Sequence, residues 1–88
     1  MSIHEECGVF GVFAGEQTDV ATLVYYGLYA LQHRGQEACG IAVSDDGVIS
    51  SYKDLGLVGD VFDSNNLKKL PLGNMAVGHV RYSTTGGS

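Results

Sequence analysis

The sequence predicts an α+β domain, and three observations carry that expectation. CGVFGVFA (7–14) is a continuous apolar and glycine run, which reads as a buried strand. A stretch with apolar residues at spacings of three and four follows it, as an amphipathic helix requires. Farther on, Asp45-Asp46-Gly47 separates two short apolar runs, and Asp-Gly in that setting is a strong hairpin signal.

Taken in order, the first strand is bounded by GEQTD (15–19). The helix runs from Asp19 to Gln32, with Val20, Leu23, Val24, Leu28 and Leu31 as its stripe and Ala21, Tyr25 and Tyr29 widening it. Thr18 or Asp19 is its N-cap. Gly27 inside the helix costs up to about 1 kcal/mol relative to Ala, so close packing against a neighbour is its expected reason. His33-Arg34-Gly35 ends the helix with a basic residue and a glycine. GIAVSDDGVISSYKD (40–54) is the hairpin. Leu57, Val58, Val61, Phe62, Leu67 and Leu70 suggest short helical turns around Asp63-Ser64-Asn65-Asn66. Pro71-Leu72-Gly73-Asn74 reads as a turn and MAVGHVRYS (75–83) as the last strand, with no internal repeat.

Composition narrows the class of function. The 88 residues allow one domain, with 44% hydrophobic and 17% charged residues. Thirteen glycines lie mostly beside apolar or motif residues, which suits tight turns and close backbone approaches. With a net charge of −5, five Lys+Arg in total and no basic run, nucleic acid and anionic membrane are excluded as main partners. No stretch approaches the roughly 20 apolar residues of a transmembrane helix, and the acidic MSIHEE is no secretory signal. Cys7 and Cys39 lack CxxC spacing, which fits a reduced, cytoplasmic protein.

Three segments mix polar residues with glycine amid apolar sequence: Cys7-Gly8, LQHRGQEACGIA (31–42) and GHVRYSTTGG (78–87). Polar groups buried in such settings need partners, and a ligand is one kind of partner. Cys7 stands six residues from the start. Were those residues removed, it would carry both a thiol and a free α-amine, whose ordinary pKa of about 7.7–8.0 lets it serve as base to its own side chain. The alternative is a small buried thiol. Arg81 lies inside the last apolar strand, where it suits either bidentate capture of a carboxylate or a structural ion pair. Tyr82, Ser83, Thr84 and Thr85 offer hydroxyls beside it, and Gly86 and Gly87 permit close backbone approach. Arg34 either orients a substrate or complements the helix dipole. His33 and His79 read as general bases or as hydrogen-bonded structural residues, and Cys39 as core. No short paired His/Cys spacing suggests a metal, and GxGxxG, GxxxxGK[ST] and GxSxG are all absent.

Cys7-Gly8 in CGVFGVF, with LQHRGQEACGIA and GHVRYSTTG, resembles the N-terminal glutamine domain of the glutamine phosphoribosylpyrophosphate amidotransferases. The likeness runs in register from Cys7 to Ser88. Other class II amidotransferases, for hexosamine, glutamate or asparagine synthesis, look similar at the cysteine and the arginine strand. The hexosamine enzymes tend to carry EYRGYDSAG where this chain has LQHRGQEACG. A non-catalytic module that kept the fold is the alternative from another class. The resemblance implies an Ntn-hydrolase fold, a four-layer αββα sandwich of which residues 7–88 are the N-terminal portion and residues 1–6 a propeptide-like leader. It implies that Cys7 attacks glutamine, and that Arg81, helped by Tyr82 and Thr84, holds the α-carboxylate. Arg34 would order the site. Ammonia would pass to phosphoribosylpyrophosphate, giving phosphoribosylamine for purine nucleotide biosynthesis.

The same resemblance places the Asn-Gly pair of the oxyanion hole, the Asp for the glutamine amine and the phosphoribosyltransferase domain beyond Ser88. Loss of one oxyanion donor costs about 10²–10³ in rate. Mg²⁺ would belong to that absent domain and an iron–sulfur cluster, where present, to ligands outside this chain, so this segment itself is expected to hold no cofactor. A homo-oligomer is implied for the full-length protein. The 88-residue chain alone is therefore expected to be inactive and poorly folded, its last strand exposing unpaired edges and apolar surface.

Overall fold

A computed structural model describes residues 5–31 and 36–83. Strand β1 (Glu5–Thr18) leads to helix α1 (Val20–Leu31), then strands β2 (Gln36–Asp45) and β3 (Val48–Leu55). Two short helices, α2 (Val58–Val61) and α3 (Ser64–Lys68), precede strand β4 (Gly73–Ser83). The α+β class and the order of elements are as the sequence implies. All described strands form one antiparallel sheet in the order β1-β4-β2-β3.

Each boundary has a local cause. Asp19 caps α1: its Oδ1 accepts from the Thr22 backbone N–H at 3.2 Å and its Oδ2 from the Thr22 hydroxyl at 2.8 Å. At the hairpin, Asp46 and Gly47 both take positive φ, 53° and 92°, the backbone that lets a two-residue connection follow the twist of its strands. Asp63 caps α3 by accepting from the Asn66 N–H at 2.8 Å. Strand β1 outruns the expected 7–14: it reaches Thr18 through a register irregularity between Phe13 and Thr18, because Thr18 still pairs with Gly73. Strand β2 likewise starts at Gln36, before the expected Gly40, with an irregularity between Gln36 and Ala38. The helix break expected at His33-Arg34-Gly35 lies outside the described residues.

The core sits between α1 with α2 and one face of the sheet. Val20, Ala21, Val24 and Leu28 of α1, Cys39, Ile41 and Val43 of β2, and Ala76, Val80 and Tyr82 of β4 are all buried, with Val58, Val61 and Phe62 closing one end. Gly27 is where α1 meets β1: a Cβ there would stand 2.2 Å from the Phe10 ring. Close packing is thus why glycine occupies the helix interior.

One expectation is overturned. Strand β4 is not an edge: β1 pairs along one side and β2 along the other, so its backbone groups are taken up in both ladders. The last strand in sequence is inserted between the first two, and the edges are β1 and β3. The exposed apolar surface expected of that strand is present, on the sheet face turned away from α1, where Met75 and Val77 of β4 stand open with Val9, Phe13 and Ile49, Phe13 at 74% exposure.

Candidate active site

Strand alternation sends Cys7, Val9, Gly11 and Phe13 to the open face and the residues between them toward α1. In register, Cys7 lies directly opposite Arg81 on β4, Arg81 opposite Ala38 on β2, and Ala38 opposite Leu55 on β3. The two residues singled out as nucleophile and carboxylate clamp, 74 positions apart by number, are therefore immediate cross-strand neighbours on one face. Directly opposed side chains have Cβ atoms about 4.5–5.5 Å apart. Both residues are exposed. Beside Arg81 an open depression of about 360 Å³ is lined by Ala38, Cys39, Lys53, Asp54, Leu55, His79 and Arg81.

Cys39 is buried on the opposite, helix-facing side, as expected of a core thiol. Burial and then the nearby Asp54 carboxylate push its thiol from 9.0 up to about 11, so it stays protonated at neutral pH. The two cysteines are thus separated by the sheet itself.

No family model matches the chain. Over 85 residues it is 62% identical to the amidophosphoribosyltransferase of Mycobacterium tuberculosis, a match covering 97% of this chain and 16% of that one. The amidophosphoribosyltransferase of Methanocaldococcus jannaschii is 57% identical over 81 residues, covering 92% of this chain and 17% of the relative. This chain matches the N-terminal part of amidophosphoribosyltransferases. Among solved structures, an allosteric regulatory enzyme of purine biosynthesis superposes with a TM-score of 0.72 at 43% identity, over 90% of this chain and 16% of that one. Glutamine phosphoribosylpyrophosphate amidotransferase from B. subtilis, complexed with ADP and GMP, gives 0.70 at 45% identity, over 86% of this chain and 16% of its own. The chain spans about 16% of the length of these amidophosphoribosyltransferases, and the sheet and helix layer seen here correspond to that part of their fold.

Tyr82 is not where the sequence reading put it. As the residue after Arg81 on a strand it points to the other face, is 5% exposed, and its hydroxyl donates to the Leu31 carbonyl at the end of α1. The hydroxyl beside the guanidinium that the sequence suggested is thus a tie between helix and sheet. Gly8 fits beneath it. A Cβ at Gly8 would meet Val80 Cγ2 at 3.0 Å, Leu31 Cδ1 at 3.3 Å and the Tyr82 hydroxyl at 3.5 Å. The Cys-Gly pair therefore has a structural reason: Cys7 rises to the open face while the next position must be empty to let α1 approach. Arg34 and Thr84, the remaining candidates, lie outside the described residues, as do His33, Thr85, Gly86 and Gly87.

Gln36 is a positioning residue that the sequence reading did not single out. Buried at 6% exposure, it donates from Nε2 to the carbonyls of Gly56 at 2.6 Å and Ala38 at 2.9 Å, and its Oε1 accepts from the Val58 N–H at 3.2 Å. It fastens the start of β2 to the turn before α2, immediately after the segment that carries Arg34. A polar residue directly after a glycine and ahead of an apolar run was the available signal, but the same signal suits any loop.

Proposed function

We propose that this segment supplies the glutamine-hydrolysing end of a glutamine-dependent amidophosphoribosyltransferase of purine nucleotide biosynthesis. The observation that carries the reading is the pairing of Cys7 with Arg81 on the open sheet face. Glutamine's α-carboxylate carbon and its carboxamide carbon are separated by four C–C bonds of about 1.5 Å each, or about 5 Å when extended. A cross-strand pair spans that order of length, so a carboxylate held by the guanidinium leaves the carboxamide near the thiol. Arg81 offers two parallel N–H donors to that carboxylate.

In this chemistry the Cys7 sulfur attacks the carboxamide carbon, its proton passing to the α-amine of the same residue. The C–N bond then breaks, ammonia leaves with that proton, and water cleaves the thioester to give glutamate and the free thiol. The amine is available only once Met1 to Glu6 are removed. Glu5 and Glu6 here continue β1, paired with Ser83 and Tyr82, so the Cys7 nitrogen is still a peptide nitrogen. In this reading removal of the leader is the activating step. Ammonia then goes to phosphoribosylpyrophosphate at a site carried by the remainder of the full-length protein. Arg34 and Thr84 are assigned to the glutamine site by the same resemblance.

In this reading Mg²⁺ and any iron–sulfur cluster belong to the remainder of the full-length protein. Among the described residues no three of His, Cys, Asp and Glu gather as a metal-holding group, and Cys7 and Cys39 lie on opposite faces of the sheet. No helix of the described residues is long and apolar enough to cross a membrane. The proposed setting is cytoplasmic, with the full-length protein a homo-oligomer.

Arg81→Leu in the full-length enzyme tests the clamp. It is expected to raise the glutamine requirement at least about tenfold while synthesis supported by free ammonia persists. Equal loss of both activities would assign Arg81 to folding instead.

A further inference from the structure

His79 stands two residues before Arg81 on β4, so both side chains leave the same face of the central strand, their Cα atoms about 7 Å apart. Its cross-strand neighbours are Val9 on β1 and Gly40 on β2, and Gly40 in turn faces Lys53 on β3. The imidazole leans toward β2 and lies over Gly40. A Cβ there would stand 2.7 Å from His79 Nε2, 3.3 Å from its Cδ2 and 2.9 Å from Lys53 Cβ. Gly40 is thus the seat of the ring, and the Lys53 stem closes the far side.

The depression that Arg81 lines is also lined by His79 and Lys53, which leave the same face as Arg81. An arginine has several rotatable bonds and loses rotamer entropy when it is fixed. Were the space over Gly40 empty, the guanidinium could fold down the strand into it, away from the row that carries Cys7. The ring fills that space.

We propose that His79 is a positioning residue for the glutamine site: seated on Gly40, it confines Arg81 to the Cys7 row. The proposal rests on the glutamine reading of Cys7 and Arg81 and adds a residue to it. His79 acts through Arg81, so its removal weakens glutamine capture without touching the reacting atoms.

The experiment is a double-mutant cycle in the mature full-length enzyme, with glutamine as substrate. His79→Ala is expected to raise KM for glutamine roughly tenfold, with kcat changed less than about twofold. His79→Asn, which still fills part of the space, is expected to recover part of that loss. In an Arg81→Lys background the same His79→Ala change is expected to alter KM by less than about twofold, because the residue it positions has already been replaced. Additive effects in the two backgrounds, or a fall in kcat equal to the rise in KM, would overturn the proposal. If Arg81→Lys alone leaves KM for glutamine unchanged, the glutamine reading fails as well. If it raises KM but the cycle is additive, only the role of His79 fails.

Discussion

Cys7 and Cys39 show how much a single position decides about one functional group. Both are unpaired thiols in apolar strands, yet Cys7 is exposed on the open face beside Arg81 and Cys39 is fully buried beneath it. Iodoacetamide at pH 8 should therefore label Cys7 in the native full-length protein and reach Cys39 only after denaturation, as peptide mapping would show. Labelling of both at equal rates would contradict the placement. The thiol of Cys39, pushed up to about 11 in the fold, also sets a pH effect. Its folded-state value lies above the unfolded one, so its contribution is complete below about pH 9 and is lost as pH rises through about 11. Denaturant melts across that interval should show stability falling, and a Cys39→Ala variant should lose that particular slope. At Tyr82, replacement by Phe leaves the Leu31 carbonyl without that donor, a loss of about 1 kcal/mol in unfolding free energy. A change confined to glutamine KM, with stability intact, would instead return Tyr82 to the substrate.

The elements were legible wherever local chemistry decides them. Period-three-and-four spacing gave α1 to within a residue or so of Val20–Leu31, and Asp46-Gly47 gave the hairpin, because cap and turn geometry are properties of a few adjacent residues. Strand ends were less legible: Glu16, Gln17 and Thr18 carry turn-like side chains, and only pairing with a distant Gly73 keeps Thr18 in the ladder. Strand order was not legible at all. That β4 inserts between β1 and β2 depends on pairing among residues from 31 positions apart (Ser44 with Met75) to 78 (Glu5 with Ser83), and no local pattern encodes it. The same non-local pairing makes Cys7 and Arg81 neighbours, and strand alternation at Arg81-Tyr82 turned one expected substrate contact into a core tie. Gly27→Ala probes how helix and sheet meet. Propensity favours alanine by up to about 1 kcal/mol, but a Cβ 2.2 Å from a rigid Phe10 ring costs about 1–3 kcal/mol, so the clash wins. Thermal melting of the full-length variant should show a net loss of stability; a raised melting temperature would mean that α1 and β1 do not meet at Gly27.

At the scale of the whole molecule, one sheet face is covered by helices and the other, which carries the Cys7–Arg81 row, presents Val9, Phe13, Ile49, Met75 and Val77 to solvent. An apolar face of that kind favours association when unprotected. The 88-residue chain expressed alone should therefore self-associate with rising concentration and melt without a sharp transition, which sedimentation and calorimetry would test. A cooperative, concentration-independent melt would mean that the face is tolerated in water. The origin of this expectation lies in the open face, since β4 itself is paired on both sides. Everything functional in the account depends on Cys7 acting as nucleophile with its own amine as base. Intact and peptide mass spectrometry of the full-length protein, before and after reaction with an electrophilic glutamine analogue, tests that most directly. The expected result is a mature chain beginning at Cys7 and carrying the adduct on that residue; a chain that retains Met1 and leaves Cys7 unmodified would contradict that role.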